Sequence, residues 1–233
     1  MFDAKKLLDQ FLGSQVPGLS GSVRDRAGQA AEIAKNNPMK AGALAAAIFG
    51  TKTGRKLAGN AAAVGGIAAI AGLGYLAYRN YQSGKSPQAV TQPQPTQELL
   101  PPPVDSPFHP QSPALSNSFA LTLVQAMIAA AKADGHIDAG ERAHIMEKVK
   151  VSGLDHEAEA FIEKELADPL DIDALVAAAT TEEQKVEIYT ASRLTIEPDS
   201  RAERGYLDLL AGRLGLPDAL VEHIEATVSA AKV

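Results

Sequence analysis

Residues 117–141 read NSFALTLVQAMIAAAKADGHIDAGE, and this stretch decides the fold class. Asn117 or Ser118 is placed to cap a helix in which Leu121, Val124, Ile128 and Ala131 make one apolar stripe. Ala133-Asp134-Gly135-His136 breaks that helix, because glycine takes the left-handed conformation that closes one. Asp138 then stands three residues before Glu141, the spacing of a capping box. The next helix carries Ile145, Met146 and Val149 and stops at Gly153-Leu154.

The same grammar continues to the end of the chain. Further helices are expected at about 155–167, 172–179, 182–194, 201–214 and 218–231, with no alternating β-branched run anywhere. Residues 115–233 therefore read as a bundle of roughly seven short helices. Composition agrees: 45% of the 233 residues are apolar but only 5% aromatic, so the apolar content is mostly alanine and small aliphatics. With no cysteine, disulfides, thiolate metal sites and cysteine nucleophiles are excluded.

Ahead of the bundle lie three different regions. Met1–Lys56 holds nine Lys/Arg against four Asp/Glu, and Leu7, Leu8, Phe11 and Leu12 form a short amphipathic helix. That helix suits either a membrane surface or another helix. Leu57–Tyr78 runs 22 residues without a charge, 13 of them Ala or Gly, which is long enough to cross the roughly 30 Å hydrocarbon core. Lys52, Arg55 and Lys56 flank one end, and Arg79 with Tyr75, Tyr78 and Tyr81 marks the other. A single transmembrane helix is expected over 57–78, with a glycine-rich helix buried in an oligomer or in a hairpin with Ala41–Gly50 as the alternative. The small-residue pairs Gly65/Ala69 and Ala68/Gly72 suit homo-oligomer contacts in a bilayer.

Residues 79–114 form a Pro-rich linker. Nine of the 14 prolines fall in Ser86–Pro113, so an extended spacer is expected, reaching up to roughly 85 Å. Residues 115–233 carry eleven Lys/Arg against 22 Asp/Glu, which argues against nucleic acid as a partner. Four basic residues before the span (Lys40, Lys52, Arg55, Lys56) against two after it (Arg79, Lys85) favour a cytoplasmic N-terminus and an acidic domain outside.

The bundle shows an internal echo. Glu141 precedes Gly153-Leu154 by twelve residues, Glu203 precedes Gly215-Leu216 by the same, and each Glu lies three residues after a capping side chain, Asp138 or Ser200. Two acidic loops result: Asp134, Asp138 and Glu141 in the first, and Glu197, Asp199 and Glu203 in the second. Two readings fit these six acids. They are helix caps, or they are oxygen ligands for a divalent cation such as Ca²⁺ or Mg²⁺. An EF-hand register would put Ala130 and Lys132 at its first and third positions, so only a looser site is open. No catalytic pattern accompanies them. The five His, at 109, 136, 144, 156 and 223, lack zinc-helix spacing, and no nucleophile elbow or P-loop occurs.

Ala131–Glu141 resembles the first signature of the TerB-like tellurite-resistance fold, and Ile196–Glu203 with Tyr206-Leu207 and Leu214-Gly215-Leu216 resembles the second. The whole layout is similar to bacterial inner-membrane proteins of the YebE type, a domain family of unknown function. The resemblance implies an all-α domain, a bacterial membrane setting, a loose link to envelope stress and suspected metal binding at the same six acids. It implies no established activity. The expected function is a membrane-anchored interaction or scaffold protein, with cation sensing as the alternative.

Overall fold

The computed structural model describes residues 3–5, 7–8, 66–87, 102–133, 137, 142–143, 145–146, 149–150 and 156–231. Among them are seven helices and no strand: α1 (Gly66–Gln82), α2 (Asn117–Ala131), α3 (His156–Ala167), α4 (Ile172–Ala178), α5 (Glu182–Thr195), α6 (Arg201–Leu214) and α7 (Asp218–Ala231). Arg142, Ala143, Ile145, Met146, Val149 and Lys150 are also helical, where the helix after the first acidic loop is expected. The all-α expectation holds, and among the described residues after 115 the helix limits fall within a residue or two of those read from the sequence.

Local chemistry explains the boundaries. Ser116, rather than Asn117 or Ser118, caps α2 by accepting the Phe119 N–H at 3.1 Å. Asn117 is occupied elsewhere, since its Oδ1 accepts the Ala4 N–H at 2.7 Å. Asp171 caps α4, and Thr181 caps α5 through the Gln184 N–H. The capping box of α6 is complete, with Ser200 and Glu203 each bonding the other's backbone N–H, at 3.1 and 2.9 Å. Gly215 ends that helix at φ +68°, and the Leu216 N–H closes back onto the Ala211 carbonyl.

At the centre stands α5. Every residue from Val186 to Ile196 is buried, because α1, α2, α6 and α7 all pack around it. Ile188, Leu194, Leu123, Met127, Leu210 and Ile224 fill the space between them.

Here α1 departs from expectation. Of the stretch read as a membrane span, residues 57–65 lie outside the described residues; the remainder is α1, which continues past Tyr78 to Gln82. The 17 described residues of α1 make about 26 Å of helix, less than the roughly 30 Å hydrocarbon core. Among the described residues no helix is long and apolar enough to cross a membrane. Instead Ile67, Ile70, Leu73 and Ala77 belong to the bundle core, with α1 laid against α5 and α7. The small residues serve this packing. A Cβ on Gly74 would stand 3.4 Å from both Phe108 and Val186, at van der Waals contact, so α1 lies close against α5 there. Ala69 and Gly72, read as faces for a second copy, are likewise buried within the chain, and Gly65 lies outside the described residues.

The described part of the linker also packs rather than extends. Residues 103–115 fold into successive turns, with N–H to C=O bonds from Ser106 to Pro103, His109 to Ser106, Ser112 to His109 and Leu115 to Ser112. Phe108 is 2% exposed, its ring 6.0 Å from Tyr75 and 5.6 Å from Tyr78 on α1. An aromatic ring that finds an apolar pocket outweighs the extended preference of its proline neighbours. At the N-terminus, Ala4, Leu7 and Leu8 are buried in the same core. Of the two settings open to that amphipathic helix, contact with other helices is the one observed for Leu7 and Leu8, while Phe11 and Leu12 lie outside the described residues.

Candidate functional site

The six acids read as ligands divide by place. Asp134, Asp138 and Glu141 lie outside the described residues. Glu197 is half-buried, Asp199 exposed and Glu203 half-buried in the turn between α5 and α6. Within that turn Glu203 spends its carboxylate on the Ser200 N–H. The loop carbonyls are occupied too, since the Arg204 guanidinium donates to Pro198 O at 2.9 Å and Asp199 O at 2.8 Å. The Arg204 guanidinium thus sits on two backbone carbonyls of this turn. Among the described residues no group of three or more His, Asp or Glu is arranged to hold a metal. Lys132 plays a similar part before the first loop: its ammonium donates to the Glu165 and Asp168 carbonyls at the end of α3. Partial burial lowers its pKa from the ordinary lysine value.

The distinctive chemistry lies inside α5, where three polar groups of side chains are buried on different sides of one helix. Toward α7, Arg193 Nε meets Glu225 Oε2 at 2.5 Å, while its other nitrogens donate to Ile196 O and Ser229 Oγ. Tyr189 O–H donates to the other oxygen of Glu225 at 2.9 Å. Burial, with the Glu225 charge beside it, drives the Tyr189 phenol well above its ordinary pKa. Toward α2 and α6, Ser192 Oγ and Tyr206 O–H lie 3.1 Å apart and share the Ala126 carbonyl. Burial pushes Tyr206 up to about 12. Both groups are satisfied networks that lock helix register.

The third group is not satisfied. Its one buried side-chain atom without a partner among the described residues is Thr190 Oγ1, and near it in sequence Glu187 is 3% exposed. Burial first, and the Glu183 charge second, raise its pKa from 4.5 to about 8, so it enters the fold as a neutral acid at pH 7. One turn on, Thr190 Oγ1 is buried without a partner, 3.6 Å from where a Gly74 Cβ would be. The orphan hydroxyl of Thr190 thus lies where α5 meets α1. Sequence reasoning passed over both. Glu187 and Thr190 look solvated when read singly, and only the burial of α5 on all sides gives them meaning.

A family model matches residues 34–228, a run that takes in α1, the packed Pro-rich turns and nearly all of α7. The chain belongs to the family described as protein of unknown function DUF533. Membership in DUF533 fits the packing, because α1 and the helices after residue 115 fall inside one family unit. Similarity extends to an uncharacterized protein in the ampR 5′ region of Yersinia enterocolitica, 31% identical over 124 residues, or 53% of this chain and 89% of the relative. No solved structure matches.

Proposed function

We propose that this DUF533 protein is a non-catalytic helical scaffold that works at a membrane surface, its basic N-terminal region facing anionic lipid and its acidic bundle facing a protein partner. The observation that carries this reading is the division of charge. Met1–Lys56 holds nine Lys/Arg against four Asp/Glu, whereas residues 115–233 hold eleven against 22. Basic segments near an anionic leaflet gain about 1 kcal/mol per Lys or Arg, and an acidic body is held off the same surface. Exposed acids of the bundle such as Glu163, Asp208, Asp218 and Glu222 offer charge to a basic partner surface. The likeness of Ala131–Glu141 to TerB-like domains, and of the layout to YebE-type inner-membrane proteins, supports a bacterial envelope setting.

Surface attachment is preferred to spanning because half of the uncharged stretch is engaged within the bundle as α1. Vesicle flotation of the full chain tests it. Binding to phosphatidylcholine vesicles containing phosphatidylglycerol, released as salt rises from about 0.05 M to about 0.5 M, is the expected result. Salt-resistant binding to pure phosphatidylcholine would mean apolar insertion instead, and absence of binding to either vesicle would remove the membrane from the proposal.

A further inference from the structure

A glycine inside a helix is destabilising relative to alanine, so it calls for a reason: a positive φ, a tight contact within the fold, or a contact with something else. α6 holds two, Gly205 and Gly212. Among the described residues only Gly84 and Gly215 have a positive φ, and a Cβ added at Gly205 or Gly212 would meet nothing within 4 Å. Both glycines are exposed. The fold of one chain therefore supplies neither of the first two reasons. Beside them Leu209 is 52% exposed, although Tyr206, Leu207, Leu210 and Leu214 of the same helix are buried.

The charges on this side of α6 say what would fit it. Arg204 is held by the Pro198 and Asp199 carbonyls, and Arg213 by Asp173 of α4. Arg201 and Asp208 stand exposed, four residues before Gly205 and three after it. At 100° per residue, Arg201, Gly205, Asp208 and Gly212 fall within about 60° of one another round the helix, with Leu209 about 40° beyond Gly205. Opposite charges on either side of a glycine make a self-complementary pattern. When two copies of α6 cross antiparallel about a two-fold axis at Gly205, Arg201 of each faces Asp208 of the other. The absent side chain at the crossing lets the two backbones come close. An in-register parallel crossing would set like charge against like charge, and a partner of one sign would be repelled by one of the two residues.

We propose that the exposed face of α6 binds a second copy of this chain: two α6 helices cross antiparallel at Gly205, an Arg201–Asp208 pair forms on each side of the crossing, and Leu209 of each is set against the start of the other α6. A contact through one helix is smaller than the about 1,600 Å² of a standard interface, so the dimer is weak and reversible. It takes up Asp208 and leaves Glu163, Asp218 and Glu222 for a basic partner.

Sedimentation equilibrium of the full chain without lipid tests this, over about 10–500 µM protein to reach a weak contact and at about 0.15 M salt to screen repulsion between two acidic bundles. The natural chain should show a reversible monomer–dimer equilibrium. Arg201→Glu and Asp208→Arg should each weaken it at least about tenfold, because each sets like charges against one another twice. The double variant should restore it, since Glu and Arg then face each other again across the axis. Gly205→Leu should leave the chain monomeric by holding the helices apart, and these exposed positions let all four variants keep the natural thermal midpoint at low concentration. A natural chain that stays monomeric over the whole range, a dimer indifferent to the single reversals, or a double reversal that fails to restore association would overturn the proposal.

Discussion

An acid that is neutral in the folded chain and charged in the unfolded one makes stability fall as pH rises, and Glu187 is such an acid. Unfolded, it titrates near 4.5, and folded, near 8. Between these values the folded state keeps a proton that the unfolded state has lost. Stability therefore declines across that window by up to about 1.4 kcal/mol per pH unit, and the trend flattens above the folded value. Urea titrations at a series of pH values should show this slope in the natural protein and not in Glu187→Gln. Thr190 makes a smaller statement of the same kind. Replacing a buried hydroxyl that has no partner by a methyl group of the same shape should stabilise, so Thr190→Val is expected to raise stability by about 1 kcal/mol in the same titration.

At the scale of elements, the Pro-rich segment and α1 depend on each other. Phe108 closes over Tyr75 and Tyr78, so Phe108→Ala should cost about 3 kcal/mol in thermal unfolding although its neighbours are prolines. A free spacer would lose nothing measurable. The helices from residue 117 onward were legible in the sequence because their signals are local. A cap three residues before its partner and a glycine at a helix end, as at Ser200, Glu203 and Gly215, need no knowledge of the rest of the chain. The place of α1 was not legible. Thirteen Ala and Gly in 22 uncharged residues satisfy a bilayer and a tight helix–helix contact equally, and the decision rests with α5 and α7, more than a hundred residues away. Burial of Glu187 was hidden for the same reason, since its helix is enclosed by α1, α2, α6 and α7 together. Of the six acids singled out, Glu203 was placed correctly as half of a capping box, while the polar interior of α5 gave no periodic signal.

For the molecule as a whole, the chain returns on itself. The N-terminal turn meets the start of α2 through Ala4 and Asn117, and Leu7 and Leu8 are in the common core. Leu8→Ala should therefore destabilise the entire bundle by about 2–4 kcal/mol, lowering the midpoint of a single unfolding transition rather than abolishing a separate early one. The membership of residues 34–228 in one family unit accords with a core that spans the Pro-rich segment instead of ending at it.

The central claim is that α1 belongs to the bundle core, and thiol reactivity in lipid-free buffer tests it most directly. The natural chain has no cysteine, so a single Ala71→Cys at a fully buried α1 position is a clean probe, with Ser83→Cys just past the helix as the exposed control. Packing of α1 predicts that the thiol at 71 reacts at least about a hundredfold more slowly than the one at 83, the ratio set by an opening equilibrium of a few kcal/mol. Equal rates in buffer, or protection at 71 that develops only when lipid or detergent is added, would contradict it.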